Sequence, residues 1–238
     1  MRELCNRVGK NPHEIFDIIC GTSTGGIVAV LMGAKKLSVA ETEALYDEFI
    51  DKVFGQKSTV KLVTNQASYD ELEFENILSK QLGDEQFIDS IRQDCTKVFC
   101  VSTKVNTIPT THIWRNYNYP PGQRSRYAGS NRVNTMTAVR ATTAAPTFFV
   151  PVQFEGGLYC DGALVANNPT AIALQEAKQL FPGIPIETVV SVGTGVFSQT
   201  AGTVSSMGII IIIIINIIII IIILRMGFAH KSSNSWSS

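Results

Sequence analysis

The sequence predicts one α/β domain in which helices layer on a central, mostly parallel sheet. Three observations predict it. Short, nearly continuous apolar runs recur at Ile15–Cys20, Val98–Ser102 and Thr188–Val192, the pattern of strands buried on both faces. Segments of helical period stand between these runs. A length of 238 residues suits one sizeable core.

The elements follow in order. Residues 2–10 read as the end of a helix, and Ile15–Cys20 as the first strand. Gly21 to Gly26 forms a tight turn, and Ile27–Met32 opens a helix that stops near Gly33. Ser38 with Glu41 three positions on is a capping box. The helix it opens carries Ala44, Leu45, Phe49 and Phe54 on its apolar stripe. Tyr69 to Leu82 repeats the helical period. Val98–Ser102 is a buried strand, His112–Trp114 a weaker one, and Pro120-Pro121-Gly122 a loop. Thr135 to Ala145 is a helix of small residues ended by Pro146. Leu158-Tyr159-Cys160 runs as a strand into Asp161-Gly162-Ala163, and Asn168-Pro169 opens a helix reaching Leu180. A last buried strand is expected at Thr188–Val192, ending at Gly193-Thr194-Gly195.

Twenty basic and twenty acidic side chains balance to zero, which argues against a globally basic nucleic-acid binder and a disordered acidic chain. The five cysteines form no CxxC pair and read as buried free thiols of a reducing compartment. Met1 is followed by polar residues, not by the apolar core of a signal peptide. Charge is segregated locally. Thirteen acids and five bases lie between Glu41 and Asp94. From Cys95 to Phe154 there is no acid, and seven bases are interleaved with Trp114, Tyr117, Tyr119 and Tyr127. That mixture suits an ordinary solvated face, an anionic bilayer surface or, less well because no nucleic-acid motif accompanies it, single-stranded nucleic acid. After Val196 the composition changes to Ser, Thr and Gly, then to fourteen isoleucines between Ile209 and Ile223. The stretch to Leu224 would span about 24 Å as a helix, short of a hydrocarbon core of about 30 Å. Residues 1–196 are therefore expected to hold the domain, and residues 197–238 a low-complexity tail, read as a translated repeat or a membrane anchor.

Gly21-Thr22-Ser23-Thr24-Gly25 matches G-x-S-x-G and sits between a buried strand and an apolar helix. That is the setting of a nucleophile elbow, with Ser23 held in a strained turn at a helix N-terminus. Gly26 is followed by Ile27, not Lys, so a phosphate-binding P-loop is excluded. A serine nucleophile needs a base. His13 lies before the elbow, His112 between it and Asp161, and His230 in the tail, so none occupies a convincing triad position. Asp161, at the end of a strand and before Gly162, is the carboxylate alternative, although Asp-Gly by itself also marks an ordinary turn. An aspartate with a pKa near 3.9 is a weak base unless its pocket is dry.

Gly21-Thr22-Ser23-Thr24-Gly25-Gly26 and Asp161-Gly162-Ala163 resemble the two motifs of the patatin-like phospholipase family. Residues 138–146 and Val192-Gly193-Thr194-Gly195 resemble its intervening blocks. The resemblance runs from about Arg2 to Gly195. It implies a three-layer fold and a Ser23/Asp161 dyad, with Ser23 as nucleophile and Asp161 as base. The implied activity is hydrolysis of glycerophospholipid acyl esters, of the calcium-independent phospholipase A2 type, with no metal or other cofactor. The implied partners are a phospholipid substrate and an intracellular membrane surface (mitochondrial, peroxisomal or endoplasmic reticulum), with no nucleic acid. The family's glycine-rich oxyanion loop precedes the elbow, whereas Gly9 is the one glycine before Ile15. The chain is accordingly expected to be an incomplete domain without its first strand. A non-catalytic remnant and a transacylase using the same dyad stay open as alternatives.

Overall fold

The computed structural model describes residues 1–54, 67–91, 95–146 and 148–193. The expected tail and the Thr194-Gly195 turn lie outside them. Helix α1 (Arg2–Val8) ends on Gly9, and α2 (Pro12–Ile15) follows under a capping box of Asn11 and Glu14. The first strand, β1 (Ile18–Thr22), is wholly buried. Helix α3 (Thr24–Ala29) continues into a π-helical turn at Val30–Ala34. Helix α4 (Val39–Phe54) starts at the expected box: the Ser38 N–H donates to Glu41 Oε2 at 2.8 Å, and the Glu41 N–H to Ser38 Oγ at 3.2 Å. Helix α5 (Ala67–Leu82) is followed by a 3₁₀ turn at Phe87–Ser90. Strands β2 (Lys97–Lys104), β3 (Thr110–Arg115) and β4 (Ala128–Ser130) come next, then helix α6 (Thr135–Thr142). Strands β5 (Val152–Phe154) and β6 (Gly157–Asp161) precede α7 (Ala163–Ala166) and α8 (Thr170–Leu180).

The α/β layering agrees with the sequence reading, but the sheet is mixed, not mostly parallel. Its path is β4-β3-β2-β6-β5, with β1 also on β2. Pairs β1–β2 and β3–β4 are parallel, whereas β2–β3, β2–β6 and β5–β6 are antiparallel. Connection length explains two of the three antiparallel pairs. A few residues join β2 to β3 and β5 to β6, and such short links make hairpins, not crossovers. One face of the sheet packs against α3 to α6, where Phe74, Phe87, Leu82 and Trp114 are fully buried. The other packs against α8 through Phe99, Val101, Ile113, Ala173 and Ala177.

Two further expectations change. Thr188–Val192 forms no strand, and Val189 is 38% exposed. An apolar run becomes a buried strand only with a ladder to join, and this one pairs with none of the described strands. The helix expected to reach Ala145 ends at Thr142.

The rings of the base-rich stretch do not form a surface belt. Trp114 and Tyr117 are fully buried. The Trp114 indole donates to Ser102 Oγ at 2.8 Å, and the Tyr117 hydroxyl to the buried carboxylate of Glu176 at 2.8 Å. Tyr119 shares that carboxylate. Arg140 is also internal, bonded to Glu75 Oε1 at 3.0 Å and lying over the rings of Phe74 and Phe149. Exposed bases of this stretch include Arg124, Arg126 and Arg132. All five cysteines are buried and free, as expected.

Candidate active site

Two strands meet end to end on β2. Strand β3 occupies one edge of β2 from Phe99 to Lys104, so β1 and β6 share the other. Strand β1 runs parallel to β2, and its last residue, Thr22, pairs with Val101. Strand β6 runs antiparallel, and its last residue, Asp161, pairs with Ser102. The two carboxyl ends therefore abut, and the next residue after β1 is Ser23. Residues 138 apart in sequence converge because β2 templates both.

Ser23 turns the chain with φ 57° and ψ −129°. Such a backbone costs a non-glycine residue about 1–3 kcal/mol and persists only where the surroundings impose it. Here the Ser23 N–H donates to Thr142 Oγ1 at 3.0 Å, and the Thr142 hydroxyl donates to the Val101 carbonyl at 2.5 Å. The turn is so tight that a Cβ on Gly21 would lie 2.0 Å from the Gly25 carbonyl oxygen. Thr22 Oγ1 donates to the Ala166 carbonyl at 2.9 Å. Thr24 opens α3, Gly25 and Gly26 fill its first turn, and the Gly26 N–H donates to the Ser23 carbonyl at 2.8 Å.

The Ser23 hydroxyl donates to Asp161 Oδ2 at 2.5 Å, and the Ala163 N–H donates to Oδ1 at 2.8 Å. Both side chains are almost wholly buried, with 2% and 1% of Ser23 and Asp161 exposed. Burial pushes the Asp161 carboxyl up to about 7, against these two hydrogen bonds, which act to lower it. Its backbone is fixed from both sides: the N–H donates to the Ala144 carbonyl at 2.9 Å, and its carbonyl accepts from Thr103 Oγ1 at 2.7 Å. Gly162 is set by space. A Cβ there would lie 2.2 Å from the Val101 carbonyl oxygen. Gly162→Ala is therefore expected to destabilise the domain by about 3 kcal/mol and to displace Asp161. Denaturant midpoints of the two proteins check this.

No histidine takes the place of Asp161 among the described residues. His112 is buried between Trp114 and Tyr159, with ring centroids at 4.2 and 4.7 Å, and neither of its ring nitrogens has a hydrogen-bond partner. Burial, with Lys104 and Arg115 nearby, lowers its pKa to about 4. His13 lies before β1, its ring unbonded at Nδ1, and His230 lies outside the described residues.

A family model for patatin-like phospholipases matches residues 2–174. The chain belongs to the patatin-like phospholipase family. It is 39% identical over 205 residues to human (Homo sapiens) calcium-independent phospholipase A2-gamma, covering 84% of this chain and 26% of that protein. Phospholipase A I of Arabidopsis thaliana is 30% identical over 250 residues, covering 82% of this chain and 19% of its own length. The 85/88 kDa calcium-independent phospholipase A2 of Mus musculus is 28% identical over 217 residues, covering 82% and 25%. The chain thus spans about a quarter of the length of the two calcium-independent relatives.

Within this patatin-like domain, the structure brings together both residues that the motifs singled out. The residues that hold them were not singled out. Thr142 lies in the block at 138–146, and its hydroxyl bridges the elbow to β2. Thr103 and Ala144 pin the Asp161 backbone. A small-residue helix ending beside a strand was the available signal, but partners so distant in sequence cannot be assigned without the pairing.

Proposed function

We propose that this chain carries the reacting core of a serine lipid acyl hydrolase, which cleaves fatty-acyl esters of glycerophospholipids at a membrane surface through Ser23 and Asp161. The observation that carries this reading is the 2.5 Å hydrogen bond from a strained, buried serine to a carboxylate whose pKa stands near 7. A base poised near ambient pH balances availability against proton affinity. The relatives, calcium-independent phospholipases A2 and a phospholipase A, agree in substrate class.

Ionised Asp161 takes the Ser23 proton as Oγ attacks the ester carbonyl. Negative charge then develops on the carbonyl oxygen, next to the amino end of α3, where the helix dipole favours it. The tetrahedral adduct collapses to an acyl-serine. The protonated carboxyl gives its proton to the departing lysophospholipid oxygen. Asp161 next takes a proton from water, the hydroxide attacks the acyl-serine, and the fatty acid leaves as Ser23 recovers its proton.

A fluorophosphonate probe tests this directly. Labelling is expected at Ser23, mapped by peptide mass spectrometry, with a rate that rises as pH passes through about 7. A folded sample that stays unlabelled, or carries the label on another serine, would reject the reading.

A further inference from the structure

One short segment, the end of α6 and the turn after it, touches both halves of the Ser23–Asp161 pair. Thr142 Oγ1 accepts from the Ser23 N–H at 3.0 Å, and the Thr142 carbonyl accepts from the Gly162 N–H at 3.4 Å. Two residues on, the Ala144 carbonyl accepts from the Asp161 N–H at 2.9 Å. The serine and the carboxylate are therefore set against the same stretch of chain as well as against β2. Thr142 is fully buried, so no solvent is at hand to replace a lost partner.

The Thr142 side chain is fixed in orientation. Its hydroxyl donates to the Val101 carbonyl, so a lone pair, not the proton, faces the Ser23 N–H. With Oγ1 held between those two groups, χ1 is set and the Cγ2 methyl has one place to go. That place is the first turn of α3. A Cβ on Gly26 would stand 2.6 Å from Thr142 Cγ2, 3.2 Å from Oγ1 and 3.4 Å from the Cys100 Cβ. Gly26 does not have a positive φ, so space, not backbone conformation, requires glycine there. Glycine is otherwise a poor choice inside a helix. We propose that Thr142 is a positioning residue for Ser23, its hydroxyl fixing the elbow on β2 and its methyl matched in size to Gly26. Thr142 touches no reacting atom; it aims Ser23 Oγ and keeps it beside Asp161. The inference rests on the proposed acyl hydrolysis for its kinetic consequence, but the packing of Thr142 on Gly26 does not.

Two sets of variants of the full chain test the hydroxyl and the methyl separately. Thr142→Val keeps the shape and removes the hydroxyl. It is expected to lower kcat on a short-chain ester about 10- to 100-fold with KM unchanged, and to slow fluorophosphonate labelling of Ser23 by a similar factor. Thr142→Ser keeps the hydroxyl and should restore most of that loss. A merely structural role would reduce the fraction of protein that labels but not the rate at each labelled site. Gly26→Ala drives a methyl into Thr142 Cγ2, so it should lower both the unfolding midpoint and kcat. Adding Thr142→Ser removes Cγ2 and should recover most of both losses, a non-additive cycle. That second set decides the matter if Thr142→Val fails to fold. Equal losses in Thr142→Val and Thr142→Ser, or an unchanged rate per labelled site in Thr142→Val, overturn the role of the hydroxyl. Additive effects of Gly26→Ala and Thr142→Ser overturn the size match. If the parent neither labels nor hydrolyses ester while the unfolding midpoints still show the non-additive cycle, the packing of Thr142 on Gly26 stands and the hydrolase reading falls.

Discussion

Ser23→Ala is expected to lower ester hydrolysis about 10⁴-fold or more, since loss of an activated nucleophile leaves only the contribution of binding and oxyanion stabilisation. The substitution also has a stability signature. Alanine keeps a Cβ at φ 57°, so the backbone strain remains. It removes the hydroxyl that donates to Asp161 Oδ2, leaving a buried carboxylate one donor short, at a cost of about 1–3 kcal/mol. Ser23→Gly loses the same donor but relieves the strain, which offsets about 1–3 kcal/mol. The two variants should therefore be equally inactive, with the glycine variant the more stable. Ester hydrolysis and denaturant unfolding at pH 8 measure both effects. A wild-type rate in either variant would remove Ser23 from the mechanism.

The parts of this site that were legible in the sequence are those set by local chemistry. The elbow was readable because a strand, a glycine-flanked serine and an apolar helix follow one another without interruption from Ile18 to Ala34. The box at Ser38 and Glu41 was readable for the same reason, since its bonds span three residues. Asp161 stood out through its turn and through the lack of a suitably ordered histidine. What could not be read was the pairing. Val98–Ser102 reads as a buried strand whichever neighbours it has, yet its role depends on taking β1 and β6 on one edge at adjacent register positions. The mixed sheet and the unpaired Thr188–Val192 segment escaped for that reason, because strand partners are long-range facts. The rings at 114–127 misled through composition. Amphipathic side chains beside cations fit a bilayer surface equally well as a core, and burial of the Tyr117 hydroxyl against Glu176 decided for the core.

Asp161→Asn is expected to lower hydrolysis about 10³-fold or more and, at the same time, to stabilise the fold at alkaline pH. Asparagine cannot take the Ser23 proton, so the nucleophile is no longer activated. The stability effect follows from the raised pKa. The carboxyl titrates near 7 in the folded protein, against 3.8 for the ordinary group. Between those values the folded state holds a proton that the unfolded chain has released. Stability therefore falls as pH rises from about 4 to about 7, and the penalty is complete above that range. A gap of about three units corresponds to an upper bound of about 4 kcal/mol. Asparagine carries no such penalty. The variant should match the wild type in unfolding free energy near pH 4 and exceed it by up to that amount at pH 8. Denaturant unfolding across pH reads the difference, and wild-type hydrolysis should rise over the same interval. If the two stability curves run parallel, the folded carboxyl ionises at its ordinary pKa and the dry-pocket account of its basicity fails. If they diverge as expected, the ionisation that destabilises the fold is the one that makes the base, and the instability belongs to the chemistry.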